Sequence, residues 1–181
     1  MNFAAGVNTV FHFSEDPTIA EFVPRPHPTR VDQPPYVWAI DAAHAANYLF
    51  PRDCPRICIA VGATTTAADR ERFFHSTEAR RIISVESGWL PRIRTTRLFV
   101  YHLPAVAFRT YDLSAGYAVS TEPVAPLHVE PLGDLLDELL AAGVELRFTP
   151  TLAPLQQAVA ASSLEFSMIR LRNSLALNAP R

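Results

Sequence analysis

Near the start of the chain, in the stretch VFHFSED, His12 and Ser14 stand two residues apart among the apolar Val10, Phe11 and Phe13. On a strand alternate side chains share a face, so this imidazole and hydroxyl lie side by side and can hydrogen-bond one polyhydroxylated ligand from one side. A solvated strand face is the competing account. A second stretch, YVWAIDAAHAANY over 36–48, runs from an apolar strand through Asp41 into an alanine-rich turn ending in Tyr48. Asp41 is a good helix N-cap, the alanines allow close approach to a sheet, and the tyrosine ring suits the rim of a pocket. Simple core packing explains this stretch too.

Other residue types offer less. Arg25, Arg52 and Arg56 carry planar forks suited to phosphate or carboxylate, with a surface pair between an arginine and Asp53 as the alternative. Cys54, Cys58 and His44 have passable zinc spacing, but Cys58 sits inside an apolar run and no fourth ligand presents itself, so no metal is expected. Cys54 as a nucleophile with a distant histidine has no better support. The stretch RIRTTR at 92–97 could hold a phosphate or be a solvated turn.

The elements that must position these groups follow from pattern. Six of the 16 prolines fall within residues 16–36, which excludes regular helix or central strand there and predicts an extended loop anchored by Ile19, Phe22 and Val23. Strands are predicted at RICIAVG, RRIISVE, RLFVYHL, AFRTYDL, GYAVS and VELRF, and helices at TAADRERFFH and GDLLDELLAAG, the latter with Asp134 in its first turn and Gly143 as its stop. Leu164, Met168, Leu171 and Leu175, spaced i, i+4, i+7 and i+11, predict a long closing helix, in which Glu165 and Arg170 would pair across a turn. About seven strands and four helices without a strict βαβ rhythm predict one α+β domain over 1–181, a mixed and mostly antiparallel sheet with flanking helices.

Composition narrows the function class. With 181 residues, 49% hydrophobic, 19% charged and a formal charge of -2, the chain is expected to be soluble and globular, and nucleic acid is an unfavoured partner. All 16 basic residues are arginine, which fits a GC-rich bacterial genome and excludes a Schiff-base or P-loop lysine. Two cysteines suggest a reducing cytoplasm. No leader segment and no apolar run of roughly 18 residues is evident, so neither export nor a membrane partner is expected. Neither a G-x-G-x-x-G turn nor a Walker A loop is present.

Taken together, HFS at 12–14 and AANY at 45–48 resemble the two leading motifs of the ADP-ribosyltransferase fold, in its poly(ADP-ribose) polymerase branch. The resemblance implies an ADP-ribosyltransferase-like core over 7–130, followed by a helix–strand–helix segment over 131–181. It further implies NAD as substrate, with glycosyl transfer to an acceptor. His12 would meet the ribose next to nicotinamide, Ser14 the same end of the ligand, Tyr48 the nicotinamide ring, and Arg25 and Arg52 the pyrophosphate. The third motif would supply a glutamate to steady the oxocarbenium charge. GYAVS places Gly116 at that position, which leaves Glu122 in a shifted register, or Glu165 from the closing segment, as the substitute, and makes a non-catalytic ligand- or protein-binding module the alternative. Phosphotransfer from RNA ends, on a related fold, is a further and less favoured reading. The blocks at 12–28, 49–56 and 161–174 also make the whole chain similar to an uncharacterised bacterial family of unknown function.

Overall fold

The computed structural model describes residues 8–26 and 32–175. Its ten strands are divided between two sheets, each belonging to a compact unit assembled from two separate stretches of chain. The first unit takes the described residues up to Leu49 together with Arg97–Gly133; the second takes Phe50–Thr96 and the described residues from Asp134 on.

In the first unit, strands β1 (Thr9–Ser14) and β2 (Val37–Ile40) belong to a six-stranded sheet. Strands β5 (Phe99–Pro104), β6 (Arg109–Asp112), β7 (Tyr117–Ser120) and β8 (His128–Pro131) complete it, in the order β6-β7-β2-β1-β5-β8. Every pairing in it is antiparallel. Strand β1 is central because its VFHFS pattern supplies apolar groups to both faces. One face carries Val10, His12 and Ser14 with Tyr101 and Leu103 of β5 opposite them, and the other carries Phe11 and Phe13. The part of the proline-rich segment around Ile19 and Phe22 lies over the first face. Phe22 pairs its backbone with Val124 and joins the cluster of Val10, Val37, Ala39, Tyr101 and Leu103. The Tyr101 hydroxyl donates to Asp16 O at 2.7 Å and accepts from Ile19 N at 3.1 Å. Ile19 and Phe22 are therefore anchors as expected, whereas Val23 points outward, 49% exposed.

The second unit holds β3 (Arg56–Ala60), β4 (Arg81–Glu86), β9 (Val144–Thr149) and β10 (Glu165–Ile169) in the order β10-β3-β4-β9. Its β4–β9 pair is parallel. Helices α1 (Ala67–Phe74), α2 (Leu90–Thr95), α3 (Leu135–Ala141) and α4 (Ala153–Ala160) complete it. Ile57, Ile59, Ile82, Phe73, Phe74, Leu152, Val159 and Leu164 form its core. Asp134 caps α3 by accepting from Leu136 N and Asp137 N, and Gly143 follows that helix at a φ of +68°. The class is thus α+β and mostly antiparallel, as expected, but the strands form two sheets where one mixed sheet was expected. Among the described residues no helix is long and apolar enough to cross a membrane.

The long closing helix is a correction. Helix α4 ends at Ala160, where Ser162 donates to Val159 O and accepts from Leu164 N. Ser163 turns away to Asp69 at the start of α1. These serine hydroxyls offer the backbone local partners that compete with helix, and the chain leaves as β10, pairing with β3. Glu165 and Arg170 consequently share no helical turn: Glu165 lies against Gly62, and Arg170, at a φ of 55°, donates to Arg52 O.

Candidate functional site

The residues best placed for chemistry gather where β2 leaves the first sheet. Asp41 follows β2 and caps a 3-10 helix over Ala42–Tyr48, its Oδ1 accepting from His44 N at 2.9 Å. The same oxygen lies 2.7 Å from His44 Nδ1, a carboxylate–imidazole dyad with side-chain exposures of 39% and 14%. A carboxylate there only accepts, so the contact places a proton on Nδ1 and leaves Nε2 as the ring's second nitrogen. Asp41 N donates to Gly116 O at 2.9 Å, prolonging the β2–β7 ladder by one rung.

Gly116 ends the β6–β7 hairpin at a φ of +72°, a left-handed conformation natural to glycine. A Cβ at this position would overlap the His44 ring and come within 2.7 Å of Asp41 Oδ1. The adjoining Tyr117 pairs with Ile40, and its hydroxyl accepts from the Tyr48 hydroxyl at 3.0 Å. Tyr48 also stacks on Phe13, centroids 6.1 Å apart and rings 16° from parallel. Trp38, between Tyr36, Tyr111 and Tyr117, extends this aromatic wall with centroid distances of 4.9–5.9 Å. The result is an imidazole oriented by a carboxylate beside Gly116, while the Tyr117 hydroxyl, on the strand that follows, pairs with that of Tyr48 at the end of the 3-10 helix.

The residues singled out from sequence are only partly brought together. His12 and Ser14 do share a face of β1, but it is the face beneath the proline-rich segment. His12 Nδ1 lies 2.9 Å from Trp38 O and its ring 4.7 Å from that of Phe22. Ser14 is 7% exposed and accepts from Asp16 N at 3.1 Å, closing a turn. Tyr48 stacks instead on Phe13, which leaves β1 on the opposite side, so His12 and Tyr48 do not converge on one face. Glu122 is exposed in the turn after β7, with its backbone bound to Ser120 Oγ. It stands beyond the end of β7 that is remote from Gly116. Arg25 is exposed in the first unit, its backbone bridged to that of Tyr36, and Arg52 is exposed in the second.

Arg56 is not a surface residue: it is 2% exposed, donates to Cys54 O and lies over the Phe50 ring. Burial pushes the Cys54 thiol up to about 12 and that of Cys58 to about 11, so both stay protonated near neutrality, without the thiolate that a nucleophile needs.

Asp41 and His44 were the residues that sequence reading undervalued. An N-cap carboxylate faces the N–H of the third helical residue, so Asp-x-x-His at a helix start already implies the dyad.

The family model for DUF6886, a family of unknown function, matches residues 11–174. The chain belongs to this family. No curated protein and no solved structure matches the chain. Within the DUF6886 match lie β1, the 3-10 helix and the β6–β7 hairpin, and with them every residue of the site just described.

Proposed function

We propose that this DUF6886 protein handles a nucleotide of the NAD class at the Asp41–His44 dyad, cleaving the bond between ribose and nicotinamide and passing ADP-ribose to water or another acceptor. The observation that carries the reading is steric. A side chain at 116 would project into the space that Asp41 Oδ1 and the His44 ring occupy. The resemblance implies a glutamate at 116, and Asp41 supplies a carboxylate in that space from the neighbouring strand end.

The chemistry balances with these groups alone. The glycosidic C–N bond breaks with its electron pair leaving on nicotinamide, and the incoming hydroxyl gives its proton to His44 Nε2 while Asp41 steadies the imidazolium. The Tyr48 and Tyr117 hydroxyls suit the sugar. His12 and Ser14 then support the sheet on the face opposite Phe13, Tyr48 and Tyr117. A non-catalytic binding module is the second reading, favoured by the separation of His12 from Tyr48.

Incubation with NAD followed by chromatography tests the proposal. Nicotinamide release is expected from the unaltered chain and should fall about 10²- to 10⁴-fold in His44→Ala, with Asp41→Asn similarly impaired. Binding heat without release would select the binding module, and neither heat nor release would remove both readings.

A further inference from the structure

A different face-sharing trio lies toward the opposite edge of the first sheet. In the β5–β8 register His102 is directly opposite His128, and Val100 is opposite Glu130. Cross-strand partners share a face, as do residues two apart on one strand, so both imidazoles and the carboxylate project together. The two rings stack with centroids 3.9 Å apart and planes 20° from parallel, and the edge of Phe11 fixes His102 from the side. Glu130 Oε1 lies 2.8 Å from His128 Nε2 and 3.5 Å from His102 Nε2, and one ligand atom from each residue falls within 4.8 Å of the others.

The decisive atom is His102 Nε2. It is buried without a hydrogen-bond partner, since the 3.5 Å approach to Glu130 lacks the geometry of a bond. A buried polar atom in that condition calls for an unseen water or ion. A cation about 2.0–2.2 Å from two imidazole nitrogens and one carboxylate oxygen would fit between these atoms after small rotations of exposed side chains. His128 and Glu130 are 52% and 40% exposed, which gives such rotations room and leaves an entry path from solvent.

We propose that His102, His128 and Glu130 form a binding site for a divalent cation of the zinc class. Two nitrogens and one oxygen suit zinc, cobalt or nickel better than magnesium or calcium, which prefer all-oxygen shells. Three protein donors leave a fourth position open to water or ligand. The site is separate from the dyad: four strand spacings divide β8 from β7, roughly 19 Å. It stands against the expectation, drawn from Cys54, Cys58 and His44, that the chain holds no metal.

The test uses the full chain, free of any histidine tag and stripped with chelator, titrated separately with Zn²⁺ and Co²⁺. One cation per chain is expected, with visible ligand-field absorption for Co²⁺ and a raised unfolding temperature. His128→Ala and Glu130→Gln alter exposed side chains and should each weaken binding at least about tenfold with the circular dichroism spectrum retained, whereas the exposed His75→Ala leaves it unchanged. The proposal is overturned by absence of stoichiometric binding, by wild-type affinity in either folded ligand variant, or by an equal loss in His75→Ala.

Discussion

Replacing Glu86 with alanine is expected to lower the unfolding free energy by about 3–5 kcal/mol, the cost of orphaning several buried hydrogen-bond donors and opening a void beside them. Glu86 ends β4 with no exposure at all. Its Oε1 accepts from Ser174 Oγ at 2.7 Å and lies 3.4 Å from Leu152 N, and Leu175 N approaches both oxygens at 3.2 Å. One carboxylate therefore ties the end of β4 to the start of α4 and to the segment following β10. Truncation orphans these donors, at about 1–3 kcal/mol for each that stays buried, and opens a void beside them. Urea unfolding measures the loss as a lower midpoint at unchanged slope. Glu86→Gln keeps the volume and one acceptor oxygen and should cost less than half as much. A loss below about 1 kcal/mol for alanine would show that water replaces the carboxylate and that the three segments are not held by it.

The network around Glu86 was illegible in the sequence because its partners come from 66, 88 and 89 residues further on. Nothing in a carboxylate at the end of RRIISVE distinguishes it from the exposed acids elsewhere. Apolar runs were legible: RICIA and RRIISVE are strands because every second residue and more must enter a core. The closing helix was misread for a specific reason. Leu164 and Met168 are four apart, an even spacing that satisfies the strand period of two as well as the helical 3.6, and the hydroxyls of Ser162 and Ser163 then decide for a turn and a strand.

The candidate site divides along the same line. That His12 and Ser14 share a face follows from the strand period alone. The face on which Tyr48 lands depends on where the 3-10 helix crosses the sheet, a tertiary choice that AANY does not encode, and it crosses onto the Phe13 side. His128 and Glu130, two apart on one strand, carried a readable pairing. Their partner His102 is supplied only by the β5–β8 pairing.

Gly116→Ala should remove about 2–5 kcal/mol of stability and disable the dyad together, because one atom creates two conflicts. The φ of +72° costs an ordinary L residue about 1–2 kcal/mol, and a Cβ driven into the His44 ring and Asp41 Oδ1 adds overpacking of about 1–3 kcal/mol. Gly116→Asn separates the two. Asparagine tolerates the left-handed region several-fold better than alanine yet carries the same Cβ, so a loss equal to that of alanine assigns the cost to the collision, and a substantial recovery assigns it to the backbone. The imidazole supplies an independent readout. With Asp41 in place, nitrogen chemical shifts of His44 should report a proton held on Nδ1. In Gly116→Ala the displaced ring should lose that preference, and nicotinamide release should fall with it. A variant that keeps both the Nδ1 tautomer and full stability would mean that the hairpin yields to the methyl group, and the space beside Gly116 could then not be what holds the carboxylate against the histidine.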